Sequence, residues 1–100
     1  MADRTSVRVP CPGNGANFVR LTNEVTTPGG VGHPANTGDC ELYLHGVDRN
    51  GFPIHQGLVS LDPGQAMSWY HAPPGAVAIA AQCSVECDMR GELTYDTPNT

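Results

Sequence analysis

A chain of 100 residues with a formal net charge of −5 holds one domain, and its charge excludes a binder of the nucleic-acid backbone, which needs clustered Lys and Arg. It has no lysine, and its arginines, Arg4, Arg8, Arg20, Arg49 and Arg90, are scattered, so no basic stripe exists. Hydrophobic residues make up 39%, 12 glycines and 9 prolines crowd the chain, and no apolar run is long enough to insert in a membrane; the chain must build a small core from short elements and many turns.

The N-terminus, Met1 to Ser6, has no apolar run and does not read as a signal peptide. Ser6 to Val9 alternates polar and apolar, a weak edge-strand signal. Pro10 and Pro12 on either side of Cys11 then force a turn or extended path. Residues 16–24 read as a strand, with Val19 and Leu21 on one face and Phe18, Arg20 and Thr22 on the other. Residues 25–38, rich in Gly, Pro and Thr, form the longest stretch without an apolar pattern. A loop of that length in a compact domain is either functional or mobile, so it is the first place to look for a binding surface.

Asp39 to Val47 reads as a strand with Cys40, Leu42 and Leu44 toward the core and Glu41, Tyr43, His45 and Val47 outward. Asp48-Arg49-Asn50-Gly51 is a turn in which Gly51 takes the left-handed position. Phe52 to His55 returns as an edge, since Pro53 cannot donate to a ladder, and Gly57 to Leu61 continues it or starts a further short strand. The stretch from Gln56 to Cys83 holds the only tryptophan, Trp69, and two Pro-Gly turns, at Pro63-Gly64 and Pro74-Gly75. Ala66 to His71 is a strand with Met67, Trp69 and His71 on one face and Ser68 and Tyr70 on the other. Ala76 to Cys83 is another: Val77, Ile79, Ala81 and Cys83 face one way, and Ala76, Ala78, Ala80 and Gln82 form a small-residue face open to another layer or a second subunit. Alanine favours helix, but the run is short, bounded by Pro-Gly and Cys, and β-branched at two positions. Met89 to Tyr95 closes the sheet. About seven short strands separated by turn chemistry predict an all-β fold, a small antiparallel β-sandwich of immunoglobulin-like or jelly-roll-like kind. One domain covers residues 1–100, with 1–5 and 96–100 as flexible tails.

Four cysteines, Cys11, Cys40, Cys83 and Cys87, suggest two disulfides, with free thiols or a metal site as the alternatives in a reducing compartment. The economical pairing joins Cys40 with Cys83, both on core faces, and Cys11 with Cys87, both in loops. Cys83 and Cys87 have spacing that zinc sites allow, but Cys11 and Cys40 lack a local partner. A three-residue turn at 49–51 pairs residues whose numbers sum to about 100, which sets His45 opposite His55. Two such imidazoles can chelate one transition metal, with His33, His71 or Glu41 as third ligand. No Gly-x-Ser-x-Gly elbow and no phosphate loop occurs.

The candidate binding residues are Tyr43 and Tyr70, as exposed aromatics, with His33 and Asn36 from the 25–38 loop. Trp69 reads as the core plug, with an exposed aromatic at a strand end as the alternative, and the stretch around it as scaffold. The expected function is that of a non-enzymatic structural or assembly module, such as a subunit or decoration protein of a larger particle or filament, acting as a homo-oligomer or with other protein subunits. The alternatives are a carbohydrate- or protein-binding module and a small His-based metal-binding protein or metalloenzyme. No cofactor is expected beyond the metal of that last alternative, and neither a nucleic-acid partner nor membrane insertion. Disulfides would favour an extracellular or particle-surface location.

Overall fold

The computed structural model describes residues 4–14, 17–22 and 29–96. These residues form only β-structure: β1 (Arg4–Arg8), β2 (Phe18–Arg20), β3 (Gly30–Gly32), β4 (Ala35–Asn36), β5 (Leu42–Val47), β6 (Pro53–Leu61), β7 (Trp69–His71), β8 (Ala78–Cys83) and β9 (Glu92–Asp96). All pairings are antiparallel. One sheet has the order β1-β9-β4, a second β2-β8-β5-β6, and β3 pairs with β7 alone. The chain is a small antiparallel β-sandwich, and among the described residues no helix is long and apolar enough to cross a membrane.

The two chain ends meet in the first sheet, where Arg4 pairs with Asp96 and Arg8 with Glu92. Residues 4, 5 and 96 therefore belong to strands and not to tails; the rest of the expected tails lies outside the described residues. The expected 25–38 loop is also corrected. Its described part carries β3 and β4, because Val31 and Asn36 are buried and their backbones pair with β7 and β9. Residues 25–28 lie outside the described part.

The main core joins Leu42, Leu44, Leu61, Ile79, Ala81, Leu93, Val31 and Tyr70. Fully burying one Leu or Ile side chain stabilises the fold by roughly 1.5–3 kcal/mol, so this cluster supplies most of the driving force. Strand β8 is buried on both faces, since Ile79, Ala81 and Cys83 join the main core and Ala78 and Ala80 a second cluster. Alanine is a poor strand former in isolation, yet here its small side chain permits close layers. Ala78 and Ala80 pack with Val47 and Phe18 in a second, smaller cluster inside the domain. The alanine face is thus internal packing rather than a subunit contact. For the same reason His45 and Val47, expected outward, are fully buried.

The hairpin at 48–52 forms as expected. Gly51 has φ of +86°, and Asp48 N–H donates to Phe52 O at 2.9 Å. Val47 then pairs with Pro53 and Gly46 with Ile54. Beyond that point the register shifts, and Leu44 pairs with Val59. Residues 55–58 bulge out of β6 opposite His45. Gly57, at φ of +78°, makes the bulge possible, and Tyr70 Oη donates to its carbonyl at 3.2 Å. Disulfides join Cys11 to Cys83 and Cys40 to Cys87, with no free cysteine. The expected pairing is corrected. A burial pattern says which thiols face inward, not which are neighbours across the sandwich.

Candidate functional site

The most distinctive surface feature is built by β3 and β7. Gly30 pairs with His71, Val31 with Tyr70 and Gly32 with Trp69. Tyr70 turns into the core, 3% exposed, so Trp69 and His71 must face solvent. The indole lies against the β3 backbone. A Cβ on Gly30 would stand 2.6 Å from Trp69 Cε2 and Cζ2, so only glycine admits the ring there. Trp69 Nε1–H donates to His71 Nδ1 at 3.1 Å, and the two rings meet at 69°. That bond requires His71 to keep Nδ1 unprotonated. The indole is 44% exposed and held in one orientation.

A polar cluster borders it. His33 Nδ1–H donates to Asp96 Oδ2 at 2.7 Å, and Arg4 donates to Asp96 Oδ1 at 2.9 Å and to the His33 carbonyl at 3.0 Å. His33 has φ of +49°, which turns the chain from β3 into β4 and presents its side chain, 68% exposed, outward. The point where a Gly32 Cβ would sit is 2.9 Å from Asp96 Oδ2 and 3.5 Å from Trp69 Cζ3, so cluster and indole are contiguous. The hydrogen bond from His33, then that from Arg4, holds the Asp96 carboxyl below its ordinary pKa. Carboxylate, imidazole and guanidinium thus ring one edge of an apolar plate. Such a surface can stack a flat apolar face and hydrogen-bond its rim.

Of the expected binding residues, only His33 belongs to this surface. Tyr43 is half-buried, and its hydroxyl donates to Glu41 Oε1 at 2.7 Å, which raises its pKa. Tyr70 is buried, and burial pushes its pKa up. Asn36 is 1% exposed, and its side chain serves the fold: Nδ2 donates to Cys40 O and Leu61 O. Trp69, read as the core plug in preference to an exposed aromatic at a strand end, is exposed and forms the plate of this surface. The signal for it lay in the Gly30-Val31-Gly32 pattern of the facing strand, which leaves room for a large ring.

The expected His45/His55 pair does not form across the hairpin. The bulge moves His55 out to solvent and leaves His45 buried, edge-on to Phe18 at 5.2 Å. His45 Nδ1–H donates to Gly46 O at 2.9 Å, while buried Nε2 has no hydrogen-bond partner. Burial lowers the His45 pKa below 6.5; the Gly46 bond opposes this and the charge of His55 adds to it. Because the folded value is depressed, the unfolded chain binds this proton first as pH falls. Stability from His45 is therefore complete above pH about 6.5 and is lost below it, down to the folded pKa, at up to about 1.4 kcal/mol per pH unit. Urea midpoints at pH 7.5, 6 and 5 should show that slope in the native chain and a reduced one in His45→Phe; equal slopes would rule out His45 as its source.

Comparison with protein-family models, with curated proteins and with solved structures finds no match to this chain. Its two disulfides are compatible with an oxidising compartment.

Proposed function

We propose that this protein is a non-enzymatic binding module, extracellular or on a particle surface, that takes a carbohydrate ring on the free face of Trp69. The observation that carries this reading is an exposed indole locked over a glycine strand, since a ring already ordered loses little entropy on binding. A sugar presents an apolar C–H face to stack on the indole and hydroxyls to reach Arg4, His33 and Asp96. A protein partner would use the same plate as an apolar anchor.

Trp69 is the only tryptophan, so its fluorescence reports this site alone. A glycan array should yield a ligand that shifts that fluorescence on titration. Trp69→Ala should weaken binding at least tenfold, or about 1.4 kcal/mol, without loss of fold. Glycan binding that leaves the emission unchanged and survives Trp69→Ala would overturn the reading; a protein ligand with the same Trp69 dependence would replace the sugar by a partner surface.

Assembly into a larger particle or homo-oligomer is the second reading. It is supported by β6, a sheet-edge strand with Leu58 exposed on it and Phe52 just before it. The bulge at 55–58 works against strand addition there, because it interrupts the straight edge that a second strand needs. A monomer by light scattering at high concentration would remove this reading.

A further inference from the structure

The two disulfides are neighbours in space. The Sγ atoms of Cys11, Cys40 and Cys83 lie within 4.8 Å of one another, and Cys87 is bonded to Cys40. Four distinct positions in the fold deliver these sulfurs: the turn after β1, the approach to β5, the end of β8 and the connection from β8 to β9. Cys40 and Cys83 are fully buried, and Cys11 and Cys87 are half-buried against the same core. The sequence offers only Cys83 and Cys87 as a local pair; the fold supplies the other two ligands at the same place.

A tetrahedral zinc–thiolate centre holds each sulfur 2.3 Å from the metal, hence about 3.8 Å from its fellows. Within each bridge the two sulfurs must part to that spacing, and the Cys87 sulfur, which lies outside the 4.8 Å group of the other three, must also swing in toward Cys11 and Cys83. We propose that the reduced chain binds one soft divalent cation of the Zn²⁺ type on Cys11, Cys40, Cys83 and Cys87, where the oxidised chain has its two disulfides. The chemistry balances with a thiol or phosphine reductant. Each S–S bond takes two electrons and two protons, giving two thiols; a thiol reductant supplies both and becomes a disulfide, while a phosphine supplies the electrons and becomes a phosphine oxide, with water giving its oxygen and the two protons. The cation then binds four thiolates and releases four protons to the buffer. Its binding free energy replaces the cross-links that reduction removes, because the ligands converge only in the folded chain. One sulfur cluster thus staples the same fold in either redox state. This inference is independent of the Trp69 reading.

The test uses the full chain, reduced with a phosphine under anaerobic conditions and titrated with Co²⁺. The expected result is saturation at one ion per chain, with thiolate-to-cobalt charge-transfer absorption and tetrahedral ligand-field bands. Circular dichroism should return to that of the oxidised chain, and Zn²⁺ should displace the cobalt. The oxidised chain should give none of these bands. Cys11→Ser and Cys40→Ser should each weaken Co²⁺ binding by at least tenfold. Absence of the bands, or a reduced chain that stays unfolded with excess metal, would overturn the proposal. So would unchanged binding in Cys11→Ser and Cys40→Ser, which would leave only the local Cys83/Cys87 pair, or equal binding to the oxidised chain.

Discussion

Replacing Cys11 and Cys83 together by alanine, in the absence of metal, is expected to cost the fold about 4 kcal/mol. The bridge spans 72 residues of sequence. Closing a loop of that length removes conformational entropy from the unfolded chain worth about 4.4 kcal/mol at 25 °C in the chain-entropy account. Removing Cys40 and Cys87, which span 47 residues, should cost about 4.0 kcal/mol by the same reasoning. A domain of this size has roughly 5–15 kcal/mol in total, so either double variant loses a large share and full reduction leaves little. In thermal unfolding each should fall by roughly 15–30 °C.

Hydrogen bonds also support the segments around both bridges. The segment after Cys11 runs hard against the end of β8: Gly13 N–H donates to Ser84 O at 3.1 Å, and a Cβ on Gly13 would collide with the Cys83 carbonyl. Without the bridge, that contact, the bond from Val9 N–H to Gly91 O and the bond from Gln82 Nε2 to Asn14 O hold the N-terminal crossing. Cys40 keeps further support, because its carbonyl accepts from Asn36 and its neighbour Asp39 donates N–H to Arg90 O. The Cys11/Cys83 variant, which loses the longer loop closure, should be the less stable of the two. Unfolding curves in urea for both variants and the native chain, all oxidised, decide this. Losses under about 1 kcal/mol in both would mean that the staples do not carry the fold.

Much of the scaffold is legible in the sequence because its signals are local. Asp48 to Gly51 announces a hairpin through turn chemistry, and Pro63-Gly64 and Pro74-Gly75 mark the other corners; Gly51, Gly64 and Gly75 all adopt positive φ. The alternation of Cys40, Leu42 and Leu44 reports a core face, and those residues are buried. What failed depends on distant partners. Period-two alternation says that Trp69 and Tyr70 face opposite ways, but not which is inside. That choice is made by Gly30 and Gly32, far away in sequence, whose missing side chains open a shelf for the indole. The His45/His55 register fails for a related reason. Gly57 hints at a bulge, but not at the number of residues it absorbs, and the bond that Tyr70 Oη donates to its carbonyl comes from another segment. Disulfide connectivity is a fact of tertiary proximity alone, since Cys11, Cys40 and Cys83 converge within 4.8 Å from distant parts of the chain.

Asn36 shows how a polar residue in a Gly-Pro-rich stretch mimics a binding residue, and its substitution should have the largest effect outside the disulfides. Nδ2 donates to Cys40 O at 2.7 Å and to Leu61 O at 2.8 Å, and Oδ1 accepts from Gly38 N at 3.1 Å. One side chain ties β4 to the approach to β5 and to the end of β6. Asn36→Ala leaves two carbonyls and one N–H without this partner in a site closed to water. At 1–3 kcal/mol for each buried group left unmade, a net loss of about 3 kcal/mol is expected. Asn36→Asp keeps the shape and tests the chemistry. A carboxylate cannot donate, so it would face two carbonyl oxygens at hydrogen-bond distance. Protonated, it restores one donor of the two. The folded state should therefore raise the pKa of Asp at this position. Relative to the native chain, Asn36→Asp should be least destabilised below pH about 3.9 and lose further stability as pH rises toward the raised folded value. That slope is opposite in sign to the one expected from His45. Urea unfolding of the native chain, Asn36→Ala and Asn36→Asp at pH 4 and pH 7 separates the two effects. If Asn36→Asp matches the native stability at pH 7, the amide does not donate to these carbonyls and the three-way tie is not what holds β4.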